Sequence, residues 1–534
     1  MYPGKQAALT PDKVAATLID TGESITYREL EDNSVRLAHV LHDAGLRPGD
    51  VVALLSENSL RVFEVYWAAV RSGLYITPVN HNLAPDEISY IVNDSGASAL
   101  VVSMAKSEVA AAVSEHTGGA GLKLAYGGAV GGYASYEDAL AAASDEPFAD
   151  QPRGAAMLYS SGTTGRPKGV RPPLPPEQVT EASSPMVRLL GQLFGVGTDT
   201  VYLSPAPLYH AAPLGFSCGV QAFGGTVVVL KRFDARACLR VIESHHVTHA
   251  QFVPTMFVRM LQLPEQDRVV SDLSSLRLAL HAAAPCPVEV KQKMIDWWGP
   301  ILVEYYAGTE GNGMTVIDSP AWLTKPGTVG RPVLGALRIC DDETGVELPS
   351  GEIGTVYWER DVQPFAYHND PEKTAAAQHP DHPTWTTLGD IGCVDDEGFL
   401  FLTDRRSFMI ISGGVNIYPQ ETENVLALHP AVHDVAVIGV PDPEMGESVK
   451  AFVQPAPGVA VGAELEQEII AFVRSKIAGY KAPRSVQFVD DLPRTETGKL
   501  VKGELKKRYV TSQISVAGTS PASTAPEMPP SAIS

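Results

Sequence analysis

Short apolar runs alternate with longer amphipathic stretches along the first part of the chain. Between Val51 and Val102, the β-branched and apolar runs VVALL, LYITPV and SALVV are separated by helix-length segments such as ENSLRVFEVYWAAVRSG. Short apolar runs predict buried strands, whereas apolar positions spaced three and four residues apart predict amphipathic helices. The alternation is therefore typical of βαβ units with a parallel sheet.

The same alternation returns after a glycine-rich segment, Ser160 to Val170. Beyond it, the runs TVYLS, TVVVL, VTHAQFV and LRLAL predict strands, and DARACLRVIESHH, TMFVRMLQ and PVEVKQKMIDWW predict the helices between them. Two successive α/β layers with parallel sheets are indicated. We therefore expect the α/β fold class, with two doubly wound subdomains.

The pattern changes twice more toward the C-terminus. From about Gly327 to Arg360, short strands with Gly and Pro turns replace the helices, which predicts a small β subdomain. Beyond Arg405, helices such as QETENVLALH and strands such as HDVAVIGV predict a compact α+β unit, and the last segment is rich in Ser, Pro, Ala and Thr. We expect a large domain over 1–404, a smaller one over 405–511 and a disordered tail over 512–534.

Length, charge and cysteine content narrow the class of protein. With 534 residues and 44% hydrophobic content, the chain can form more than one domain. The formal net charge of −21 argues against nucleic acid as a partner, because phosphate backbones attract clustered Lys and Arg. The five cysteines are widely spaced without a C-x-x-C pair, which disfavours a disulfide framework and a structural zinc site. We expect a cytoplasmic protein.

Membrane insertion finds no support in the sequence. The N-terminus MYPGKQAALTPDK has no apolar signal region, and no run reaches the length of about 18 apolar residues that a membrane-spanning helix needs. We expect no membrane span, and peripheral contact with a membrane stays open.

The glycine-rich segment SSGTTGRPKGV is suited to binding phosphate. Gly162, Gly165 and Gly169 allow sharp bends and close approach of backbone N–H groups to an anion, and Arg166 and Lys168 add positive charge. The segment is not a Walker A loop, because Ser or Thr does not follow the lysine. Composition alone favours a phosphate-binding loop and a flexible polar surface loop about equally.

Three further segments carry candidate chemistry. In EYYAGTEG, Glu310 can hold Mg²⁺ beside Thr309, since Mg²⁺ prefers few carboxylates together with substrate oxygens and water. Asp390 in TTLGDIG is a plausible acceptor for ribose hydroxyls, and Lys499 in PRTETGKL can project toward an anion. Taken singly, such a glutamate or lysine is more often a solvated surface charge, and Gly-Asp before a strand is also an ordinary turn pair.

The order of these motifs points to one family. SSGTTGRPKG, HAAAP, YYAGTE, LGD, DRRSFMIISGGVNIYPQETE and PRTETGKL follow one another in a single chain. From Thr10 to Tyr509 the sequence resembles the adenylate-forming superfamily of acyl-CoA synthetases, firefly luciferases and peptide-synthetase adenylation domains. The resemblance implies an acyl-CoA ligase that uses ATP, Mg²⁺ and coenzyme A to activate a carboxylic acid.

The resemblance also implies a role for individual residues. Those expected to bind the phosphates and the metal ion are Ser160, Ser161, Gly162, Thr163, Thr164, Gly165, Lys168, Thr309 and Glu310, with Glu310 as the metal ligand. Those expected around the adenosine are Ala283, Ala284 and Pro285 in the adenine pocket, Tyr306 against the ring, and Asp390 and Arg405 at the ribose. Lys499 would bridge the incoming carboxylate and the α-phosphate.

In such enzymes the C-terminal domain then rotates, so that the acyl adenylate meets the thiol of coenzyme A. Gly413 and Gly414 in SGGVN would line the tunnel for that thiol. The sequence departs from the family at the hinge, where Ser407 stands in place of the usual Asp or Lys. A second departure is the proline-rich run RPPLPPEQ after the phosphate loop, which cannot begin a helix until about Glu177.

The acid itself is less closely specified. Tyr209 and His210 match an aromatic or histidine gate beside the acyl carboxylate, although a buried, hydrogen-bonded histidine is an equally common arrangement. The small residues that follow leave room for a large apolar acid: Ala211, Ala212, Gly215, Ser217 and Gly219. A fatty, aryl or polycyclic carboxylate is expected, and no acidic residue is clearly placed for an amino group.

Other functions stay open at this point. A ligase that delivers its adenylate to a carrier protein commonly has an insertion in the second α/β layer, and none is evident here. A catalytically inactive nucleotide-binding homologue is disfavoured by the presence of Lys168, Glu310 and Lys499 together. A luciferase-like oxygenase shares the first half-reaction. We expect a monomer or homodimer.

Overall fold

A computed structural model of the chain forms two compact units. It describes residues 2–160, 167–181, 185–405, 408–413, 415–494 and 500–517, without the side chains of 185, 186, 405 and 510–517. Among the described residues, the first unit extends to Arg405 and the second begins at Phe408.

The first α/β layer is a six-stranded, entirely parallel sheet. In chain order, residues 3–156 form α1 (Pro3–Leu9), β1 (Val14–Leu18), β2 (Glu23–Thr26), α2 (Tyr27–Asp43), β3 (Val51–Leu55), α3 (Arg61–Arg71), β4 (Tyr75–Val79), α4 (Pro85–Asp94), β5 (Ala97–Ser103), α5 (Ser107–Ser114), β6 (Leu122–Tyr126), β7 (Ala134–Ser135), α6 (Tyr136–Ala142) and β8 (Ala155–Ala156). The strand order is β7-β6-β5-β3-β4-β8. The run VVALL is buried at every position, as expected for a strand covered on both faces.

The second layer is a nine-stranded sheet with a parallel centre. Residues 158–334 form β9 (Leu158–Ser160), β10 (Lys168–Arg171), α7 (Pro185–Phe194), β11 (Val201–Ser204), α8 (Ala211–Phe223), β12 (Thr226–Val229), α9 (Ala235–Ser244), β13 (His249–Phe252), α10 (Pro254–Leu261), α11 (Glu265–Arg268), β14 (Leu278–His281), α12 (Val288–Trp298), β15 (Leu302–Ala307), β16 (Met314–Asp318), α13 (Ser319–Thr324) and β17 (Arg331–Leu334). The strand order is β17-β16-β15-β14-β13-β11-β12-β1-β2, with β16, β17 and β2 antiparallel to their neighbours. The predicted pair of α/β subdomains is confirmed.

Two small antiparallel sheets complete the first unit. Residues 336–405 form β18 (Ala336–Cys340), β19 (Gly354–Glu359), β20 (Ala366–Tyr367), α14 (Pro371–Ala376), β21 (Trp385–Val394) and β22 (Leu400–Arg405). One sheet has the order β18-β19-β21-β22, and the other is β20-β10-β9. The predicted β subdomain is therefore present, but the run GTVGRPV contributes β17 to the edge of the nine-stranded sheet instead, where most of that strand is exposed.

The second unit is built on a five-stranded mixed sheet. Its elements are β23 (Ile410–Ser412), β24 (Val415–Ile417), α15 (Pro419–Leu426), β25 (Val432–Asp442), β26 (Gly446–Pro455), α16 (Ala463–Lys476), β27 (Ser485–Phe488) and α17 (Lys502–Ala517). The strand order is β24-β23-β26-β25, and β27 pairs in parallel with β26. The backbone of α17 continues to Ala517, whereas the sequence predicts the tail from residue 512; residues 518–534 lie outside the described residues.

None of the helices in the described ranges combines the length and the apolar composition that crossing a bilayer requires.

Asn58 connects the two layers of the first unit. Its amide nitrogen donates to the carbonyls of Ala206 (3.0 Å) and Leu230 (2.8 Å), and its Oδ1 accepts from the N–H of Leu208 (2.8 Å). The side chain is only 3% exposed, so these bonds satisfy polar groups that would otherwise be buried without partners. Asn58 thereby fixes the segment that leads from β11 to His210.

Three buried ionisable side chains lie under the loop that follows β14. The Nζ of Lys291 is 2.6 Å from Glu304 Oε2, and the Nε2 of His281 is 3.8 Å from the same oxygen. Burial, the largest contribution, raises the pKa of Glu304, and the Lys291 ammonium opposes that rise. Burial and the same ammonium lower the pKa of His281 well below its ordinary value, so His281 is neutral. Lys291 and Glu304 form a desolvated ion pair in the core.

We expect Glu304→Gln to destabilise the first unit strongly. The substitution leaves the Lys291 ammonium fully buried without a counter-charge, which costs about 3–5 kcal/mol. The double variant Lys291→Met with Glu304→Leu removes both charges and should recover most of that loss. Urea denaturation of the three proteins measures the difference, and a loss below about 1 kcal/mol for Glu304→Gln alone would show that the pair is not desolvated.

Candidate active site

The ends of the glycine-rich segment are held by an antiparallel pair of strands. Lys168 in β10 is the register partner of Ser160 in β9, and Val170 is the partner of Leu158. The intervening predicted phosphate-binding residues, Ser161, Gly162, Thr163, Thr164 and Gly165, lie outside the described residues. The segment is thus a hairpin connection whose two ends are fixed beside each other.

Gly169 has a packing role in this hairpin. A Cβ at this position would lie 2.9 Å from Cζ of Tyr159 and 3.2 Å from Cβ of His368. The carbonyl of Gly169 accepts from the N–H of His368 at 2.8 Å. From the sequence, all three glycines of the segment were expected to let backbone N–H groups approach a phosphate. At Gly169, the close contact with the side chains of Tyr159 and His368 is by itself a sufficient reason for glycine.

Tyr367 links the phosphate segment to the segment of the predicted metal ligand. Its ring centroid is 4.3 Å from Nζ of Lys168, and its hydroxyl donates to Oε1 of Glu310 at 2.9 Å. Glu310 is half-buried and Thr309 is exposed just beyond the end of β15. The structure therefore brings Lys168 and Glu310 into contact with the same aromatic side chain, the lysine at its ring and the glutamate at its hydroxyl. Tyr367 was not among the predicted site residues, because the segment around it was not recognised as a motif.

The predicted ribose and adenine residues also come together. The hydroxyl of Tyr306, at the end of β15, donates to Oδ2 of Asp390 at 2.5 Å, and Asp390 is 6% exposed. The Tyr306 ring stacks on Trp358 with centroids 6.1 Å apart. Asp390 in β21 is the register partner of Arg405 in β22, so the two predicted ribose residues are cross-strand neighbours.

The predicted adenine segment follows β14 directly. Ala283 has φ +76°, in the left-handed region that residues other than glycine rarely adopt. Ala283 and Pro285 are exposed and Ala284 is half-buried. Such a backbone costs about 1–2 kcal/mol for an alanine and persists only where the surroundings impose it. His281, at the end of β14 and in the buried cluster below, anchors this segment.

Tyr209 and His210 lie at the N-terminus of α8, where their rings and that of His81 form an aromatic group. The rings of Tyr209 and His210 have centroids 4.4 Å apart, and the ring of His81 meets Tyr209 edge-on at 5.4 Å. His81 is held by a hydrogen bond of 2.9 Å between its Nδ1 and the carbonyl of Ser56. His81 comes from the other α/β layer, and the sequence offers no signal that would place it here.

The small residues of α8 separate into two groups. Ala211, Ala212 and Gly215 are partly accessible, and a Cβ at Gly215 would meet nothing within 4 Å. Ser217 is fully buried, and a Cβ at Gly219 would lie 2.3 Å from Leu190 of α7. Only the first group can therefore border space for a ligand, whereas Ser217 and Gly219 permit close packing of α7 on α8.

In the second unit, Gly413 forms part of the connection between β23 and β24. It has φ +58°, its N–H donates to the carbonyl of Met445 at 2.8 Å, and a Cβ there would lie 2.9 Å from Met445 Sδ. Gly414, predicted with it for the thiol tunnel, lies outside the described residues, as does Ser407. The conformation of this turn and the contact with Met445 therefore require glycine at position 413, independently of any role beside the coenzyme A thiol.

Lys499 also lies outside the described residues, but both ends of its segment are described. Arg494 and Leu500 are bridged in antiparallel fashion, and the N–H of Val501 donates to the carbonyl of Pro493 at 2.8 Å. The guanidinium of Arg494 binds Asp434 through two nitrogens at 2.6 and 2.7 Å. The two ends of the connection that contains Lys499 are therefore paired with each other, and an ion pair with Asp434 fixes the Arg494 end.

The described residues offer no dedicated metal cage. No group of three or more His, Cys, Asp or Glu within the described ranges is arranged to hold a metal ion. A single carboxylate such as Glu310 fits Mg²⁺, because that ion keeps several waters and takes further oxygens from substrate phosphates. The residues present therefore suit a magnesium ion that arrives with a nucleotide.

Two family models match the chain. The model described as AMP-binding enzyme matches residues 4–361, and the model described as AMP-binding enzyme C-terminal domain matches residues 421–499. The first lies in the first unit, and the second begins within α15 of the second unit.

Individual relatives cover nearly the whole chain. Over 516 residues it is 36% identical to a feruloyl-CoA synthase of an Amycolatopsis species, with 95% of this chain and 98% of the relative covered. Over 509 residues it is 32% identical to the long-chain-fatty-acid–CoA ligase FadD13 of Mycobacterium tuberculosis, with 95% and 97% covered. The ATP-bound crystal structure of MatB from Rhodopseudomonas palustris superposes with a TM-score of 0.78 at 30% identity, covering 95% and 99% of the two chains.

Proposed function

The chain belongs to the AMP-binding enzyme family and catalyses ATP-dependent acyl-CoA ligation, and on that premise we propose how its residues divide the two steps of the reaction. In the first step a carboxylate oxygen attacks the α-phosphorus of ATP, and the bond to pyrophosphate breaks. In the second, the thiolate sulfur of coenzyme A attacks the acyl carbon, and AMP leaves with the bonding electrons.

The phosphate end of the site comprises the glycine-rich hairpin, Lys168, Thr309 and Glu310. The observation that carries this proposal is the contact of one side chain, Tyr367, with both Lys168 and Glu310. Lys168, with the hairpin hydroxyls and N–H groups, binds the β- and γ-phosphates, and Glu310 holds Mg²⁺. The ion supplies charge neutralisation for the departing pyrophosphate.

The nucleoside end comprises the segment after β14 and the strands β15, β21 and β22. Asp390 accepts hydrogen bonds from the ribose hydroxyls, and the hydroxyl of Tyr306 fixes the orientation of that carboxylate. Arg405 lies beside Asp390 in the sheet and contributes at the same ribose. Ala283, Ala284 and Pro285 border the adenine ring with small, apolar groups.

Lys499 serves adenylation. A carboxylate that attacks phosphorus brings two anions together, so a cation placed between them beforehand lowers the barrier. The match of PRTETGKL to the family motif supports this role, and the connection that contains Lys499 is short, with five residues between the paired Arg494 and Leu500. His210 lies beside the acid carboxylate at the start of α8.

We expect Lys499→Ala to abolish adenylation while leaving thioester formation from presynthesised acyl adenylate largely intact. Loss of one preorganised cation should lower carboxylate-dependent pyrophosphate release by about 100-fold or more. Lys506→Ala, in the half-exposed part of α17, is the control and should behave like the wild type in both assays. An equal loss in the two half-reactions would remove Lys499 from this role.

The acid is an aryl carboxylate of the size of ferulate. The accessible strip of Ala211, Ala212 and Gly215 has no large side chains, and the rings of Tyr209 and His81 lie at its start. Small residues next to two aromatic rings leave room for an aromatic ligand ring, which can pack edge-on or offset against those side chains. The 36% identity to a feruloyl-CoA synthase supports the same choice.

We expect Gly215→Leu to exclude ferulate but not propanoate. Gly215 lies five residues beyond His210, about 7.5 Å along the helix, so a leucine there reaches the distal part of an acid and not its carboxylate. The space beside Gly215 is open, so the fold should tolerate the change. Thioester assays with ferulate, dodecanoate and propanoate measure the change in acid preference between the wild type and Gly215→Leu. A ferulate rate that survives the substitution, or a wild-type preference for dodecanoate, would overturn the aryl assignment.

Gly414 lies in the path of the coenzyme A thiol, and Gly413 shapes the turn. We expect Gly414→Leu to retain the single-turnover pyrophosphate burst and to lose thioester formation. Gly413→Ala is the comparison: it strains a positive φ and meets Met445, so its melting temperature should fall and both steps should suffer. A folded Gly414→Leu protein with normal thioester output would show that this turn does not border the thiol.

We further propose a cytoplasmic location. All five cysteines are free, and burial raises the pKa of Cys218 and Cys238, so that their thiols are protonated and unreactive. Free, buried thiols are typical of proteins in a reducing compartment. For the oligomeric state, we propose a monomer or a homodimer.

A further inference from the structure

Tyr367 occupies a fixed position in the small sheet that carries the phosphate hairpin. It lies in β20, where it is the register partner of Val170 in β10. Its N–H donates to Oγ1 of Thr374 at 2.9 Å, and its ring meets Phe365 edge-on at 5.1 Å. The side chain is 6% exposed. Backbone pairing and packing together leave it little freedom to change rotamer.

This one side chain contacts two opposite charges. The ammonium of Lys168 lies 4.3 Å from the ring centroid, within the range where an aromatic face attracts a cation. The hydroxyl donates to Oε1 of Glu310 at 2.9 Å, a charge-assisted hydrogen bond. The ring face and the hydroxyl of a tyrosine point in different directions, so one rigid group sets the positions of both charges at once.

The hydroxyl also determines how Glu310 can bind a metal ion. With Oε1 accepting from the hydroxyl, Oε2 is the oxygen better placed to act as a single metal ligand, because Oε1 has one lone pair fewer to offer. A Cβ at Gly308 would lie 3.2 Å from Oε2 and 2.5 Å from a methyl carbon of Leu388, so glycine at this position avoids crowding between the backbone, Leu388 and the carboxylate. Mg²⁺ requires near-ideal octahedral geometry and is usually bound by one or two carboxylates with waters and phosphates. Binding through one oxygen satisfies that requirement.

We propose that Tyr367 is a positioning residue that orients Glu310 for one-oxygen binding of Mg²⁺ and holds Lys168 toward the β- and γ-phosphates. The inference rests on the proposed roles of Glu310 and Lys168. It adds to them a single group that couples the cation and the metal ligand. In this proposal Tyr367 acts through its two neighbours, Lys168 and Glu310, and not directly on the reacting atoms.

The alternative is that Tyr367 only fills the apolar cluster of Val170, Phe365 and Ala377. Tyr367→Phe separates the two, because it keeps the ring, the packing and the contact with Lys168 but removes the hydroxyl. If the hydroxyl orients Glu310, the Mg²⁺ concentration for half-maximal pyrophosphate release should rise about 10-fold or more, in keeping with loss of one hydrogen bond to a charged group. Thioester formation from presynthesised adenylate, which needs no Mg²⁺, should be unchanged.

Tyr159 offers a matched control in the same sheet. Its hydroxyl donates to Oδ2 of Asp94 at 2.6 Å, so Tyr159→Phe also removes a tyrosine–carboxylate hydrogen bond, but one that does not involve Glu310. Its Mg²⁺ titration should match that of the wild type. Tyr367→Leu removes the ring as well and should raise the KM for ATP above that of Tyr367→Phe, because Lys168 loses its aromatic contact.

The Mg²⁺ titration of Glu310→Gln distinguishes two negative outcomes: that Tyr367 does not position Glu310, and that Glu310 does not bind Mg²⁺ at all. If Glu310→Gln shifts the Mg²⁺ titration and Tyr367→Phe does not, Tyr367 is a packing residue and the inference is overturned while the site stands. If Glu310→Gln leaves the titration unchanged, the metal role of Glu310 fails and the inference fails with it. A shift in both variants, with Tyr159→Phe unchanged and melting temperatures equal, supports positioning by Tyr367.

Discussion

The antiparallel pairing of β9, β10 and β20 is the constraint on which the proposed phosphate end of the site depends. It joins the two ends of the glycine-rich hairpin and places Tyr367 one strand away from Lys168. Backbone hydrogen bonds hold this sheet together, so the positions of its charged side chains follow from register and not from attraction between charges alone. An anion-binding loop needs such an external frame, because glycine-rich segments have little conformational preference of their own.

The larger sheet supplies the other half of the site by a different principle. In a parallel α/β sheet, ligands bind beyond the carboxyl ends of the strands. The segment after β14, Tyr306 at the end of β15 and His210 in the connection after β11 all lie at such ends. Asp390 comes from the small β sheet and is joined to this edge by its bond with Tyr306. This bond is among those that connect the α/β layer to the β subdomain, and it lies at the proposed nucleotide site.

Sequence reasoning extends as far as the pattern of a single segment: it predicted the two α/β layers, which are confirmed, and it named site candidates, which stay predictions. The alternation of apolar runs predicts the two α/β layers, and the ordered motifs indicate Lys168, Glu310 and Asp390 as candidates. It failed for Tyr367 and His81, whose neighbours in space are distant in the chain. The buried pair of Lys291 and Glu304 was missed for a related reason, since a charge in the apolar run LVEYY has meaning only when its partner on α12 is known. The ligand roles predicted for Gly169 and Gly413 stay predictions, and the structure adds a second reason for glycine at each position: close side-chain contacts at both and a positive φ at Gly413.

The buried cluster and the strained alanine above it belong to one arrangement. Ala283 adopts a left-handed conformation two residues after His281, which is fully buried and 3.8 Å from the carboxylate that pairs with Lys291. Desolvated charges are held rigidly, because any displacement that separates Lys291 from Glu304 exposes each to an apolar core. A rigid base of this kind can impose an unfavourable φ on the segment that it carries. The strain therefore lies at the segment proposed to border adenine, where a preformed backbone reduces the ordering that nucleotide binding requires.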